Sequence, residues 1–178
     1  MVTLKKLWYE MSNKTDYAYA AGIIDGEGCI AITDGSPTNK GGQSWKISVE
    51  VSACSQQMVD KMVGILGGHR KTLSVRPCMH YVQYRWTLYG RKAYEALKKV
   101  KPYLTEKKAQ ADLATNFYIH QSRCKYYAGK KLSNEIISKR KAMQQRLKDL
   151  KTAFLVPVAL AETECENAVM GEATVQPS

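Results

Sequence analysis

The sequence predicts an α+β fold in which an antiparallel sheet carries its helices on one face. Several short segments alternate between apolar and polar residues, as half-buried strands do. Other segments repeat apolar residues at helical spacing, and the two kinds mix without the strict alternation of a doubly wound sheet. With 178 residues, 44% of them hydrophobic, the chain is long enough for one domain with a core of its own.

The first half of the chain predicts the order helix, strand, strand, helix. Asn13, Thr15 and Asp16 are candidate N-caps of the first helix, and Gly26 and Gly28 are expected to end it. The second strand alternates most clearly, and its turn signals lie in the polar loop before it. The predicted ranges are 17–25 for the first helix, 29–33 and 44–53 for the strands, and 55–66 for the second helix.

The second half predicts two more strands followed by helices. In the third strand Leu73 and Val75 are expected on the core face. Pro102 interrupts the helical region, Thr105 is the expected cap of the next helix, and Ser133 is the expected cap of the last. The predicted ranges are 70–76 and 81–89 for the strands, and 91–101, 105–121 and 133–151 for the helices.

Charge divides the chain into a basic domain, residues 1–152, and an acidic tail, residues 153–178, which we expect to be flexible. All 27 basic residues and 12 of the 16 acidic ones lie in residues 1–151, which therefore carry a net charge of +15; the four remaining acids bring the whole chain to +11. Such a balance favours a polyanionic partner, either nucleic acid or an anionic membrane surface, over a generic solubilising surface.

Several classes of protein are disfavoured. No apolar stretch has the length of a membrane span, and the N-terminus lacks the apolar segment of a signal peptide. The five cysteines form no C-x-x-C pair, which indicates reduced thiols rather than a zinc site or a disulfide framework. We therefore expect no membrane partner and no secretion; the cytoplasm or an organelle matrix is the expected location. The three histidines show no metal-ligand spacing.

Small residues form a stripe on the first helix. Ala18, Ala21, Gly22 and Asp25 recur at helical spacing, and small side chains in such a stripe let a second helix approach closely. These four residues are the predicted dimer interface. If that second helix is the same helix of a second copy, the two helix ends lie side by side.

Two carboxylates, Asp25 and Glu27, stand where this helix is expected to end. They face the negative end of the helix dipole, so a cation or an N–H donor must compensate them. A hard divalent metal ion with oxygen ligands is a natural compensator. If two copies of the helix lie side by side, two Glu27 carboxylates meet near a two-fold axis, where metal ions can hydrolyse one phosphodiester bond on each DNA strand.

The segment Ala20 to Gly28, with the element order that follows it, resembles the LAGLIDADG homing endonuclease family over about residues 17–123. The resemblance implies an αββαββα fold whose saddle-shaped sheet lies on the DNA major groove, with motif helices at the dimer interface. It implies that Glu27 binds the catalytic metal, with Gly26 beside it, and that Asp25 is the structural acid of the site. Lys107, with Lys108 as the alternative, matches the family's basic active-site residue.

The expected activity is a staggered double-strand break in a long, near-palindromic DNA site, as in intron homing, with Mg²⁺ as cofactor and Mn²⁺ or Ca²⁺ able to replace it in binding. The chain carries one motif copy, so a C2 homodimer is expected. The motif departs from the family name in having Glu where the name has Asp. Near Ala53, where some relatives place a water-organising Gln, only Gln56 and Gln57 follow.

Polar strand positions are the candidate DNA contacts, because Arg can read guanine, Gln adenine and Glu the cytosine amino group. The exposed face of any antiparallel sheet is polar, so the alternation alone does not establish DNA contact. A lysine- and arginine-rich stretch (Lys130, Lys131, Lys139, Arg140, Lys141) is either a phosphate-binding or a solvated surface. The predicted DNA-binding residues are Lys46, Ser48, Glu50, Ser52, Arg70, Thr72, Ser74, Arg76, Gln83, Arg85 and Thr87.

Two other functions fit the same resemblance. A maturase would use the fold to hold a group I intron RNA. A regulator of the same fold would bind DNA without cutting it, although the presence of Asp25, Glu27 and Lys107 disfavours a loss of catalysis.

Overall fold

A computed structural model describes residues 4–34, 44–73, 81–124 and 132–153 of the protein, with side chains described from Asn13 onward. Nine principal elements and one short 3₁₀ turn, residues Lys101–Tyr103, occupy these ranges. The elements are α1 (Leu4–Glu27), β1 (Gly28–Asp34), β2 (Trp45–Ala53), α2 (Gln56–Leu66), β3 (His69–Thr72), β4 (Tyr84–Tyr89), α3 (Gly90–Val100), α4 (Lys108–Arg123) and α5 (Asn134–Thr152).

The four strands form one antiparallel sheet in the order β1-β2-β4-β3, so β2 and β4 are central. Alternation works as predicted on the central strands, where every second side chain faces the helices. Each such aliphatic side chain stabilises the fold by roughly 1.5–3 kcal/mol through its burial. The inward-facing residues with at most 4% exposure are Ile30, Ile32, Trp45, Ile47, Val49, Val51, Trp86 and Leu88.

The helix α1 is longer than predicted, because it begins at Leu4 rather than near Tyr17. Asn13, Thr15 and Asp16 therefore lie inside the helix, and their prediction as N-caps is wrong. No Gly or Pro occurs before Gly22, so nothing in the sequence stops the helix from extending towards the N-terminus.

Gly28 is required at the junction between α1 and β1. A Cβ atom at this position would lie 2.5 Å from the carbonyl oxygen of Ile24. Only glycine lets the first strand turn back so tightly on the helix that precedes it. The junction fixes where the last residue of α1, Glu27, stands relative to the sheet.

The prediction of α2 is confirmed, with Ser55 as its N-cap. The Ser55 hydroxyl accepts a hydrogen bond from the backbone N–H of Met58 at 3.3 Å. Gly67 ends the helix with a φ of 73°, and its carbonyl accepts the indole N–H of Trp86 at 2.7 Å. This bond satisfies the polar atom of a fully buried side chain.

The last helix, α5, begins as predicted at the N-cap Ser133, whose hydroxyl accepts from the backbone N–H of Ile136. It packs along β1, an edge strand. The Gln144 amide donates to the carbonyl of Ile32 at 2.9 Å, which occupies a backbone acceptor that an edge strand leaves free. Leu147 joins the same core as the sheet, and the acidic tail lies outside the described residues from 154 onward.

Candidate nuclease site and nucleic-acid interface

The carboxylate of Asp25 joins the end of α1 to the segment that leads into α4. It accepts the backbone N–H of Thr105 at 2.7 Å and that of Lys107 at 2.9 Å. The predicted role of Thr105 as a helix cap is wrong, because α4 begins at Lys108 and the N–H of Thr105 is itself the donor. Asp25 therefore satisfies backbone N–H groups at the start of α4, as an N-cap residue does, although it is distant in the sequence. An N-cap hydrogen bond of this kind stabilises a protein by about 1 kcal/mol.

Lys107 supplies a cation at the C-terminus of α1. Its ammonium group donates to the carbonyl oxygens of Ile24, at 3.0 Å, and Asp25, at 2.5 Å. These carbonyls lie in the last turn of the helix, where a positive charge is stabilised by the helix dipole. The cost of placing carboxylates at this end is thus offset partly by a lysine and partly by backbone N–H donors.

Glu27, the last residue of α1, is the carboxylate that remains. It is exposed, and among the described residues it makes no hydrogen bond or ion pair. Glu27 lines an open depression together with Gly22 and Gly26 of α1, and with Ser52 and Gln83 of the sheet region. The unpaired carboxylate and two polar positions predicted to contact DNA thus share one surface.

The donor set suits a hard divalent ion that a single chain does not fully enclose. In the part of the chain that the structure describes, no three ligating side chains cluster. Mg²⁺ typically takes one or two protein carboxylates and completes its octahedron with water and substrate phosphates. Glu27 fits that requirement as the exposed carboxylate, and the backbone carbonyl of Gly26 is an oxygen ligand of the right type.

The predicted interface stripe divides into exposed and buried halves. Ala18 and Gly22 are exposed, whereas Ala21 has 0% exposure within its own chain and Asp25 is committed to the α4 segment. Ala21 therefore offers no surface to a second chain, and its prediction as an interface residue is wrong. Successive residues are rotated by about 100° around the helix axis. The predicted stripe therefore includes positions on both sides of the boundary between the buried and the exposed face of α1.

The small residues that are exposed form a different row on α1, in which Gly26 follows Ala18 and Gly22. Ala18, Gly22 and Gly26, spaced by four, are all exposed. A Cβ atom at Gly22 or Gly26 would meet nothing within 4 Å in this chain. We call this set the small-residue ridge; it adjoins Glu27 in the depression.

The polar face of the central strands is where the sequence predicts it. Lys46, Glu50 and Ser52 on β2 lie opposite the buried residues of that strand, although Ser48, on the same side, is only 7% exposed. We call this surface the open face of the sheet. Its members on the other paired strands follow from the register and are Cys29, Ala31, Thr33, Arg85, Thr87 and Tyr89.

The predicted facing of β3 is wrong. Arg70 and Thr72 pair with Trp86 and Tyr84, so they lie on the helix side; Arg70 binds both carboxylate oxygens of Asp60 at 2.8 Å. The two residues that pair with Thr87 and Arg85, and so join the open face, are His69 and Lys71.

The physical reason is that β3 is an edge strand with four exposed residues, so burial does not set its register. The Gly67-Gly68 turn and the ion pair with α2 set it instead. Ser74 and Arg76 lie outside the described residues, and Gln83 is half-buried beside the depression.

Two basic positions near the site escaped the sequence analysis. Lys71 was not named, because Arg70 and Thr72 were expected on the polar face of that strand; the acid Asp60, ten residues before Arg70, was the available signal. Lys151, at the end of α5, places its ammonium 3.1 Å from the Cys29 thiol at the edge of the open face. Of the lysine- and arginine-rich stretch, Lys139 and Lys141 are exposed, whereas Arg140 is 3% exposed and is no solvated surface residue.

No protein-family model matches this sequence, and no curated protein matches it. Solved structures do. The homing endonuclease I-CvuI, in complex with its target in the presence of Ca, superposes with a TM-score of 0.63 at 20% identity, over 79% of this chain and 84% of that one. A second I-CvuI structure, with the I-CreI target in the presence of Mg, gives 0.63 at 18% identity, over 79% and 84%.

The archaeal intron-encoded homing endonuclease I-Vdi141I, complexed with DNA, gives a TM-score of 0.60 at 13% identity over 76% of this chain and 84% of that one. The LAGLIDADG homing endonuclease I-LtrWI, bound to target DNA, gives 0.52 at 16% identity over 71% of this chain and 42% of that one. The chain therefore has the α+β fold of LAGLIDADG homing endonucleases, as the motif predicted. In the described part of the chain, no helix is both long and apolar enough to cross a membrane.

Proposed function

We propose that this chain is a homing endonuclease that acts as a C2 homodimer and makes a staggered double-strand break in a near-palindromic DNA site. One observation carries the proposal. The unpaired carboxylate of Glu27 lies in a depression lined by Gly22 and Gly26 of the small-residue ridge and by Ser52, on the open face of the sheet. A second copy and a DNA duplex would meet at that carboxylate.

The small-residue ridge supports a dimer formed by two α1 helices. Ala18, Gly22 and Gly26 leave the helix backbone accessible to a second helix, and glycines at this spacing permit the closest approach. In the proposed dimer the two-fold axis runs along the paired helices, which places their C-terminal ends side by side. The two Glu27 carboxylates, one from each protomer, are then close enough to serve the two strands of one duplex.

Metal-dependent hydrolysis follows from the same arrangement. Glu27 and the Gly26 carbonyl would hold Mg²⁺, for which Mn²⁺ or Ca²⁺ can substitute in binding; the similar I-CvuI structures were determined with Ca or Mg. A bound divalent ion would lower the pKa of a water molecule and stabilise the negative charge of the leaving oxygen. Lys107 would act as a positioning residue, because its ammonium holds the last turn of α1, which carries Glu27.

The open face of the sheet would contact the DNA. The similar structures of I-Vdi141I and I-LtrWI contain DNA. In this chain the domain carries +15, which favours a polyanionic partner. With the register of β3 corrected, Arg70 and Thr72 leave the set of candidate contacts and His69 and Lys71 enter it. The revised set among the described residues is Lys46, Glu50, Ser52, His69, Lys71, Gln83, Arg85 and Thr87.

The proposal is tested by incubating the full chain with a plasmid library of randomised near-palindromic inserts, with Mg²⁺ or with EDTA, and sequencing the ends produced. We expect Mg²⁺-dependent double-strand breaks with staggered ends within one family of related sites. Failure to cut any insert with Mg²⁺ or Mn²⁺ would contradict the nuclease assignment. Tight binding of a group I intron RNA in place of duplex cleavage would instead support a maturase.

A further inference from the structure

Glu50 is an unexpected residue on a surface that meets a polyanion. Among the described residues of the open face it is the one acidic side chain, and it lies at the centre of the sheet on β2. A carboxylate there is repelled by DNA phosphates unless a cation of the protein or a hydrogen-bond donor of the DNA compensates it. The amino groups of cytosine and adenine are the donors that the major groove offers.

Arg85, on the neighbouring strand β4, lies beside this carboxylate. Its Nε donates to the Ser52 hydroxyl at 3.2 Å and lies 3.9 Å from a carboxylate oxygen of Glu50. The Arg85 side chain is 40% exposed and that of Glu50 is 35% exposed. Among the described residues no hydrogen bond occupies the two terminal nitrogens of Arg85. The guanidinium is therefore held through Nε, and its two terminal NH₂ groups are free to donate.

The pair presents a pattern complementary to one base pair. A guanidinium fork matches the two acceptors of guanine, O6 and N7, and a carboxylate matches the amino group of cytosine. The two side chains are diagonal neighbours on adjacent strands, since Glu50 pairs with Thr87 and Arg85 with Ser52, and their charged groups lie 3.9 Å apart. Both can therefore reach the edge of the same G·C pair.

The register gives the approximate position of that base pair. Glu50 pairs directly with Cys29, which follows Glu27 by two residues. The Arg85–Glu50 pair is therefore close to the candidate cleavage centre and belongs to the inner part of a half-site rather than to its outer end.

We infer that Arg85 and Glu50 together read one G·C pair in the inner part of each half-site, Arg85 binding guanine and Glu50 accepting from the cytosine amino group. This inference rests on the proposed DNA-binding function and adds a base preference to it. Ser52 acts as a positioning residue, since its hydroxyl fixes Nε and thereby the direction of the fork.

Lys46 provides a matched control. It lies on the same open face, its ammonium is 4.6 Å from the centroid of the Tyr89 ring, and the described residues give it no acidic partner. Arg85→Gln and Lys46→Gln each remove one positive charge from this face and leave the same residue type behind. Only Arg85→Gln removes a member of the Arg85–Glu50 pair; Lys46→Gln leaves the pair intact.

The experiment is selection of bound duplexes from a randomised DNA library by the full-length protein in Ca²⁺, followed by sequencing. The wild type should select G·C at two symmetry-related inner positions. Arg85→Gln should reduce the preference for G there by about 10-fold, within the range of one bidentate contact, and favour A. Glu50→Gln should relax the preference for C at the same positions, and Lys46→Gln should weaken binding to all sequences alike.

The inference is overturned if the wild type selects a site that lacks G·C at its inner positions. It is also overturned if Arg85→Gln and Lys46→Gln give the same base profile. The proposed function survives both results, since specific binding is still observed; it fails, together with this inference, if the wild type selects no sequence. Thermal unfolding monitored by circular dichroism verifies that each variant is folded.

Discussion

Asp25 and Lys107 bind each other's backbones. The Asp25 carboxylate accepts the N–H of Lys107, and the Lys107 ammonium donates to the carbonyl of Asp25. The Asp25 side chain thus satisfies an N–H group at the start of α4, and the Lys107 side chain satisfies a carbonyl group at the end of α1. The junction fixes the end of α1, and with it the residue that the proposed chemistry depends on.

The first prediction concerns Asp25 itself. Asp25→Ala removes the acceptor for the N–H groups of Thr105 and Lys107, so the protein should lose about 1–3 kcal/mol in its free energy of unfolding. Urea denaturation measures the change. The exposed neighbour Glu106, changed to Ala, is the control and should have little effect; equal losses in the two variants would contradict the role assigned to Asp25.

The second prediction separates Lys107 from Lys108, which the sequence left as alternatives. Lys107→Met removes a cation from the C-terminus of α1 and should lower stability by roughly 1 kcal/mol. It should also lower the cleavage rate at saturating DNA, because the turn that carries Glu27 loosens. Lys108→Met, in an exposed residue one position on, should affect neither quantity. Loss of cleavage in Lys108→Met alone would reverse the assignment.

The third prediction tests the corrected register of β3 with two adjacent residues. Lys71→Gln should reduce the slope of log K against log salt concentration by about one for each protomer, the loss of one phosphate contact. Arg70→Gln should leave that slope unchanged, because Arg70 is bound to Asp60 on the helix side. Its cost to stability should be about 0.2–1 kcal/mol, since the ion pair is partly exposed. The opposite assignment of effects would restore the register predicted from the sequence.

The fourth prediction tests the small-residue ridge by light scattering. Gly22→Leu adds a side chain where this chain has open space, so the protomer should fold but should no longer form a dimer. Gly28→Ala is the contrasting variant, because its Cβ would lie 2.5 Å from the Ile24 carbonyl oxygen and should reduce stability instead. A dimer that persists in Gly22→Leu would place the interface elsewhere.

The sequence predicts the fold where burial dictates it. The alternation in β2 sets Ile47, Val49 and Val51 against the helices, and the structure places all three at 0% exposure. A one-residue shift there would expose a whole apolar face, so only one register is stable. The Ser133 cap was predictable from local sequence, because the hydroxyl accepts from a backbone N–H only three residues away.

The sequence fails where long-range contacts decide. The edge strand β3 has no buried face, and the contact of Arg70 with Asp60 depends on how α2 packs. Similarly, the bonds of Asp25 to Thr105 and Lys107 join residues about eighty positions apart. The sequence identified Asp25, Glu27 and Lys107 as a group, but only the structure shows that two of them are engaged with each other's backbones while Glu27 is not.

The central claim is that Glu27 binds the metal that cuts DNA, and Glu27→Gln tests it most directly. The change removes the charge but keeps the size of an exposed side chain that makes no described contact, so folding and dimerisation should be preserved. Binding and cleavage are measured on one selected duplex. We predict wild-type affinity in Ca²⁺ and cleavage at the level of the EDTA control in Mg²⁺. Cleavage by Glu27→Gln at a rate near that of the wild type would contradict the account.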